Sequence, residues 1–155
     1  FDYAGVPAHQ RWMNNGKFDG GQLSNDEKIL RDFYQRLLNI SAENSAMQGQ
    51  YANLHEVNRK ALTTYNHLQF AFSRWSNQEQ LIVVSNFDSE NSYQYSLKLP
   101  KELLGKWQLS SGAYPLTDLL YGEENTLVVN RNNSASIEIN IEPLSSFVFQ
   151  LPVAK

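Results

Sequence analysis

One amphipathic helix followed by a long run of short strands is the main pattern of this chain. Between residues 26 and 40 the apolar side chains recur at spacings that place them on one broad helix face. They are Ile29, Leu30, Phe33, Tyr34, Leu37, Leu38 and Ile40, and the opposite face carries Lys28, Arg31, Asp32, Gln35 and Arg36. No second helix is expected, so only one small sheet face of this chain could cover the helix. Because the apolar face of the helix needs a larger partner surface, we expect the chain to be the end of a larger protein.

The start of the helix is marked by a capping box. The Ser24 hydroxyl can accept a hydrogen bond from the backbone N–H of Glu27, while the Glu27 carboxylate reaches back to the Ser24 N–H. Asp26 and Glu27 also place negative charge where the helix dipole favours it. The sequence therefore predicts a helix that begins directly after a loop.

Alternation of apolar and polar residues predicts β-strands in the rest of the chain. Ile137, Ile139 and Ile141 alternate with polar residues, which is typical of a strand with one buried face. The predicted strands cover residues 51–56, 69–75, 81–84, 93–99, 107–109, 114–119, 126–130, 136–142 and 147–151. Many short strands at this spacing predict an antiparallel β-sandwich of about eight strands. Its expected core comprises Ile137, Ile139, Ile141, Phe147, Phe149, Val83 and Phe72.

Composition argues against several classes of partner. The chain has 155 residues and a scattered net charge of -3, without the basic stripe that nucleic acid or a membrane surface would require. No apolar run approaches the roughly 18 residues of a membrane-spanning helix. There are no cysteines, and His9, His55 and His67 lack metal-ligand spacing, so we expect neither a metal nor a cofactor.

Six segments, taken in order, resemble the end of an alpha-amylase of glycoside hydrolase family 13. They read RWMNNGKFDGGQLS at 11–24, LRDFYQRLL at 30–38, FAFSR at 70–74, LIVVSNF at 81–87, DLLYG at 118–122 and EPLSSFV at 142–148. Each segment is common by itself. Their shared order and spacing carry the resemblance, which covers nearly the whole chain.

The resemblance implies a mainly β architecture that follows a (β/α)8 barrel. Residues 1–48 would be the loop and last helix of the barrel domain, and residues 49–155 a Greek-key β-sandwich of the kind called domain C. The barrel of the same parent chain would then cover the apolar helix face. The parent would be a retaining glycosidase acting on alpha-glucans such as starch or maltodextrin, exported by a bacterium to the periplasm or the exterior.

The resemblance also implies that the chain is catalytically silent. Family 13 enzymes use an aspartate nucleophile, a glutamate acid/base and a second aspartate, on barrel strands that would precede Phe1. The residues themselves agree, because Glu123 and Glu124 lie beside a glycine in an expected turn. His55 and Glu56, as neighbours on an expected strand, would point to opposite faces. No catalytic residue is therefore predicted.

Aromatic residues are the candidate sugar contacts, since 12% of the chain is aromatic and pyranose rings stack on flat aromatic faces. By resemblance, Trp12 lies in the loop that reaches toward the barrel's sugar cleft. Trp75 and Trp107 lie in or beside expected strands, where a place in the core or at a domain seam is favoured over an exposed sugar platform.

Two functions from different classes remain open. The first is the C-terminal portion of an alpha-amylase-like enzyme, which stabilises the barrel. The second is a separate starch-binding or carbohydrate-binding sandwich, and a weaker third is an interaction module unrelated to sugar. If the helix is left uncovered, we expect it to be mobile or to self-associate through the face that bears Phe33 and Leu37. Substrate preference depends on loops upstream of Phe1.

Overall fold

The computed structural model describes residues 23–152. The chain divides into two compact units, one ending at Asn39 and the other beginning at Ile40. The first described helix, α1, covers Asn25–Glu43 and so crosses that division. All the strands found in residues 23–152 lie in the second unit.

Helix α1 begins as the sequence predicts. The backbone N–H of Ser24 donates to Glu27 Oε2 at 2.8 Å, and the N–H of Glu27 donates to Ser24 Oγ at 3.3 Å. The helix extends three residues beyond the predicted end, to Glu43. There the Asn44 side chain accepts from the N–H of Ala46 at 3.0 Å and starts a short 3₁₀ helix, Ser45–Gln48. The capping box is therefore confirmed.

Eight strands form one antiparallel sheet, which confirms the predicted fold class. The strands are β1 Gln50–Asn53, β2 Gln69–Trp75, β3 Gln80–Asn86, β4 Tyr93–Leu99, β5 Gly112–Asp118, β6 Glu124–Val129, β7 Ala135–Ile141 and β8 Ser146–Leu151. Their order across the sheet is β1-β2-β3-β8-β5-β6-β7-β4. Neighbours in space are therefore not always neighbours in sequence, and β1 and β4 occupy the two ends.

The sheet curls into two halves that share one core. β2 pairs with β3 along its whole length, whereas β5 meets β8 at Thr117 with Gln150 and at Asp118 with Phe149. This short pairing forms a corner between the half β1-β2-β3-β8 and the half β5-β6-β7-β4. The core draws side chains from both halves, including Ala71, Ile82, Leu116, Leu127, Ile137, Ile139, Ile141 and Phe149.

Most of the predicted core is confirmed, and Phe72 and Val83 are the exceptions. The three isoleucines of β7 and Phe149 are buried, and the partly buried Phe147 packs against them. Phe72 is paired with Val83 on the outer face, because their neighbours Ala71 and Val84 point into the core. Val83 is buried on that outer face, while Phe72 is partly exposed. The unbroken apolar run at 81–84 has no alternation that would show which residues point inward.

Two short helices correct the expectation that no helix follows α1. Helix α2, His55–Ala61, replaces the end of the strand predicted at 51–56. It begins where Asn53 Oδ1 accepts from the N–H groups of His55 and Glu56, at 2.8 and 3.4 Å. Helix α3, Lys101–Lys106, precedes the strand predicted at 107–109. Helices of seven and six residues are too short to show apolar periodicity in the sequence.

The strand predicted at 107–109 is wrong because these residues terminate α3. Gln108 has a left-handed φ of 55°. Its N–H donates to the Gly105 carbonyl at 3.2 Å, and the Leu109 N–H donates to the Leu104 carbonyl at 3.0 Å. These two bonds form a Schellman motif, which reverses the chain after a helix and usually has glycine where Gln108 stands.

Asn58 of α2 joins the two ends of the curled sheet. Its side chain is fully buried and bonds to the backbone of Lys98 in the end strand β4. Oδ1 accepts from the Lys98 N–H at 2.7 Å, and Nδ2 donates to the Lys98 carbonyl at 3.0 Å and to the Leu54 carbonyl at 2.8 Å. Because α2 lies between β1 and β2 in sequence, this amide completes the pairing of β4 on the side where the sheet itself is open.

Asp118 holds the opposite corner. This carboxylate is 1% exposed and accepts three backbone N–H bonds. Val148 donates to Oδ1 at 2.8 Å, Leu120 donates to Oδ1 at 3.3 Å and Tyr121 donates to Oδ2 at 2.8 Å. The side chain thereby ties the turn after β5 to strand β8.

We expect Asn58→Ala to lower the free energy of unfolding by about 2–4 kcal/mol, because it leaves the buried polar groups of two elements without partners. Asp118→Ala should cost a similar amount for the same reason. Denaturant unfolding measures both, with Arg59→Ala, an exposed neighbour of Asn58 on α2, as the control that should stay within about 0.5 kcal/mol. An Asn58→Ala variant as stable as the control would contradict this account of closure.

Asp88 in the turn before β4 is a second electrostatic anchor. The Tyr93 hydroxyl donates to Asp88 Oδ2 at 2.6 Å, the Glu90 N–H to Oδ1 at 2.9 Å and Asn91 Nδ2 to Oδ2 at 3.1 Å. These bonds, the Tyr93 bond first, hold the pKa of the Asp88 carboxyl well below its ordinary value of 3.8.

This lowered pKa makes the contribution of Asp88 to stability dependent on pH. The contribution is complete above the ordinary pKa and is lost as the pH falls toward the lower pKa of the folded state. We therefore expect Asp88→Asn to lower stability near neutral pH and to flatten the acid side of the stability profile. Tyr93→Phe should flatten it partly. Identical profiles for the wild type and Asp88→Asn would contradict the assignment.

Candidate functional site

Glu123 and Glu124, the adjacent acidic residues singled out in the sequence, have hydrogen-bond partners within the fold. Glu123 and Glu124 are both exposed. Glu124 Oε1 accepts from the hydroxyl of Thr117 at 3.1 Å, and the carbonyl of Glu123 accepts from the N–H of Asp118 at 2.7 Å. Glu123 thus ends the β5–β6 turn and Glu124 begins β6, where their contacts join the two strands.

His55 and Glu56 lie on a helix, so the strand argument that separated them is wrong. His55 is half-buried, with Nδ1 3.2 Å from the hydroxyl of Tyr65 and its ring 5.4 Å from that of Phe70. Glu56 is exposed and lies 4.0 Å from Nζ of Lys60 on the next helical turn. The two side chains therefore have separate partners.

The remaining predictions about sugar-contact, metal and membrane sites can be compared with the structure only within residues 23–152. Trp12 and His9 lie outside the described residues. Among residues 23–152, no group of three His, Cys, Asp or Glu side chains is placed to hold a metal ion. In the same range, none of the helices has both the length and the apolar character needed to cross a membrane.

Trp75 and Trp107 are brought together by the fold. Trp75 ends β2 and Trp107 caps α3, and their ring centroids lie 6.2 Å apart in an edge-to-face arrangement. Trp75 is 8% exposed and Trp107 is 5% exposed. Neither indole therefore presents an open flat platform to solvent, which agrees with the preference for a core position.

The two tryptophans nevertheless line a cleft of about 550 Å³ at one end of the sheet. Its walls come from the β2–β3 turn, the end of α3, the start of β5 and the end of β8. The lining residues are Trp75, Ser76, Asn77, Gln80, Lys106, Trp107, Gln108, Leu109, Tyr114, Leu151 and Pro152. We call this the tryptophan cleft.

The polar groups of the tryptophan cleft are mostly neutral. Asn77, Gln80 and Gln108 contribute carboxamides, and Lys106 is the one charged residue among the described lining residues. Nζ of Lys106 lies 5.3 Å from the centroid of the Trp75 ring. Nε1 of Trp107 is buried and has no hydrogen-bond partner. The described lining contains no carboxylate, and its carboxamides are groups that suit ligand binding.

Sequence reasoning identified the two tryptophans but missed Lys106 and Gln108. Lys106 and Gln108 were missed because residues 107–109 resembled a strand. The available signal was Pro100 followed by Lys-Glu-Leu-Leu, since proline and an acidic first turn favour a helix start. Tyr114 is anchored by its hydroxyl, which donates to the Ser110 carbonyl at 2.9 Å.

A second candidate surface is the apolar face of α1. None of its residues is buried. Ile29 is 66% exposed, Leu30 55%, Tyr34 51% and Leu38 65%, while Phe33 and Leu37 are half-buried. Leu30, Tyr34 and Leu38 recur every four residues and form one exposed apolar patch, whereas Ile29 lies on the other side of the helix. Exposed apolar patches of this kind mark interfaces.

The outer face of the strand unit carries a smaller aromatic row. Tyr51 of β1 stacks on Phe72 of β2 with ring centroids 5.8 Å apart, and Phe70 lies 5.9 Å from Phe72. Tyr51 is 51% exposed, and the two phenylalanines are partly exposed. Phe72, which was predicted to lie in the core, therefore packs in this outer aromatic row instead.

Comparison with known families gives one match. The model of the "Alpha amylase, C-terminal all-beta domain" family matches residues 62–152, which is more than half of the chain. The match begins just after α2 and runs through β8. No curated protein sequence matches the chain.

Solved structures of similar fold include two of AmyP and one of an alpha-amylase. AmyP in complex with maltotriose has a TM-score of 0.57 at 15% identity, over 90% of this chain and 24% of that one. AmyP in complex with maltose gives 0.56 at 19% identity, over 90% and 24%. The alpha-amylase of Anoxybacillus gives 0.54 at 17% identity, over 88% and 26%. The chain thus spans about a quarter of the length of these proteins, and the likeness at this identity concerns the fold.

Proposed function

Because the chain belongs to the family of alpha-amylase C-terminal all-β domains, we propose that it is the C-terminal portion of a family 13 glycoside hydrolase that acts on alpha-glucans. In this proposal the strand unit is not catalytic and stabilises the barrel of the same parent chain. Helix α1 is the last helix of that barrel.

The observation that carries the proposal is the uncovered apolar face of α1. Leu30, Tyr34 and Leu38 together expose on the order of a few hundred Å² of apolar surface, and at about 25 cal/mol per Å² its burial is worth several kcal/mol. The strand unit already has a closed core of its own. A (β/α)8 barrel supplies a partner of the right kind, because each of its outer helices packs its apolar face against the strands.

The chemistry of the described residues supports a role without catalysis. Retaining glycosidases need two carboxyl groups about 5 Å apart across the scissile bond. Three carboxylates of the strand unit have structural partners instead: Asp118 and Asp88 hold turns, and Glu124 bonds to Thr117 across a hairpin. In the proposal, the catalytic carboxylates belong to the barrel.

We expect the isolated chain to release no reducing sugar from starch or maltooligosaccharides above a buffer blank. A reducing-end assay on repurified protein measures this, with Glu56→Ala and Glu123→Ala as diagnostic variants. Turnover that survives repurification and disappears in either variant would contradict the proposal, because it would place an active carboxylate within this chain.

We also expect the isolated chain to self-associate through α1. Replacing Leu30 and Leu38 by glutamine should shift a dimer toward monomer in analytical ultracentrifugation, since it removes two of the most exposed apolar side chains while keeping good helix formers. Replacing Lys28 and Arg36 by glutamine is the matched control on the polar face and should leave the association unchanged.

The same variants separate the helix from the strand unit. The strand unit should melt at the same temperature in both double variants, because its core contains no residue of α1. A chain that stays monomeric at its highest soluble concentration, or a Leu30/Leu38 variant that unfolds the strands, would contradict the proposed role of this face.

A further inference from the structure

We propose that the tryptophan cleft binds a neutral saccharide, and that its ligand is a segment of an alpha-glucan chain. The saccharide class is argued from the cleft itself. The alpha linkage rests on the proposed function. The structural likeness to amylases shows a shared fold and is not used as an argument for the ligand.

The first argument is the size and construction of the cleft. Its volume of about 550 Å³ lies within the range of roughly 300–1,000 Å³ that is typical of ligand sites. Four separate parts of the chain meet there, and the Schellman motif at Gln108 sets the direction in which the chain leaves α3 toward β5. The walls are therefore fixed by the fold of the strand unit.

The second argument is the unpartnered N–H of Trp107. Buried polar groups in folded proteins almost always have a partner, so a buried donor without one calls for an explanation. The indole N–H can only donate, and the Trp107 side chain is 95% buried, being 5% exposed. Because Nε1 is closed off from solvent in the ligand-free chain, an acceptor oxygen reaches it only if a ligand displaces a neighbouring side chain of the cleft, and this displacement is part of the proposal. Sugar hydroxyl and ring oxygens are acceptors of this kind.

The third argument is the charge of the lining. Asn77, Gln80 and Gln108 each offer both a donor and an acceptor, which matches hydroxyl groups that also do both. An anionic ligand would meet one exposed cation, Lys106, and a single exposed charge pair is worth little. A purely apolar ligand would leave the three carboxamides without partners. A neutral polyhydroxyl compound suits this set best.

The fourth argument concerns Trp75 and Lys106. The Lys106 ammonium lies 5.3 Å from the centroid of the Trp75 ring, in the position of a cation–π contact. Lys106 is exposed and its long side chain can move aside, so the C–H face of a pyranose ring can take its place. The sugar would then stack on the part of the Trp75 ring that the Lys106 ammonium covers in the ligand-free chain. This explains how a tryptophan that is 8% exposed can contact a sugar.

The test is a titration of the 155-residue chain with maltohexaose, followed by ¹H–¹⁵N NMR of the indole N–H groups. Trp107→Phe identifies the Trp107 signal by its disappearance, because it removes the N–H and keeps an aromatic ring. We expect a saturable shift of that signal, with dissociation constants obtained from the same titration.

Variants locate the site. Trp107→Phe and Asn77→Ala should each weaken maltohexaose binding by about three- to tenfold, as expected for the loss of one hydrogen bond. Asn140→Ala on β7, an exposed asparagine outside the cleft, is the matched control and should bind like the wild type. Since Asn77 is exposed in a turn, its variant keeps the test valid even where Trp107→Phe disturbs packing.

Three outcomes would overturn the inference in separable ways. No saturable shift of the Trp107 signal, or equal binding by Asn77→Ala and the wild type, would exclude the cleft as a saccharide site and leave the α1 experiments unaffected. Equal affinity for cellohexaose would overturn the alpha-glucan assignment. Binding confined to a glucuronate oligomer and abolished by high salt would overturn the neutral class, because exposed charge pairs are screened by salt.

Discussion

The hydrogen bonds between the side chain of Asn58 and the backbone of Lys98 are the interaction on which the closed strand unit depends. A curled antiparallel sheet of eight strands has two end strands, and each leaves backbone groups that must find partners. The short pairing of the interior strands β5 and β8 also leaves backbone groups unpaired, and there the carboxylate of Asp118 accepts from the N–H of Val148. At the open side Asn58 supplies partners from helix α2. Two buried polar side chains therefore complete what strand pairing leaves unfinished.

Closure in turn determines where the tryptophan cleft forms. Asn58 fixes Lys98 near the end of β4, and Pro100 then directs the chain into α3, which carries Trp107. Trp75 reaches the same place from the end of β2 in the other half of the sheet. The edge-to-face contact of the two indoles thus joins the halves at one end of the core. A site at this position is formed by the ends of elements whose central residues are held in the core.

How much could be predicted from the sequence depends on how local each signal is. The Ser24–Glu27 capping box and the alternation at Ile137, Ile139 and Ile141 are local, and both are found as predicted. Helices α2 and α3 were missed because each has fewer than eight residues. Phe72 was misplaced because residues 70–72 are all apolar, and Val83 was misplaced because the run at 81–84 does not alternate.

The site shows the same limit. Trp75 and Trp107 were recognised as candidates by residue type, yet nothing in their spacing shows that they meet. Their contact depends on the ends of β2 and α3 meeting at one end of the sheet, and the unpartnered N–H of Trp107 exists only in the folded chain.

The central claim is that the strand unit is stable by itself, whereas α1 depends on a partner outside this chain. Hydrogen–deuterium exchange of the isolated chain at low concentration tests it most directly: we predict strong protection of amides in β3, β7 and β8 and weak protection in residues 27–39, and equal protection of α1 and β7 would contradict the claim.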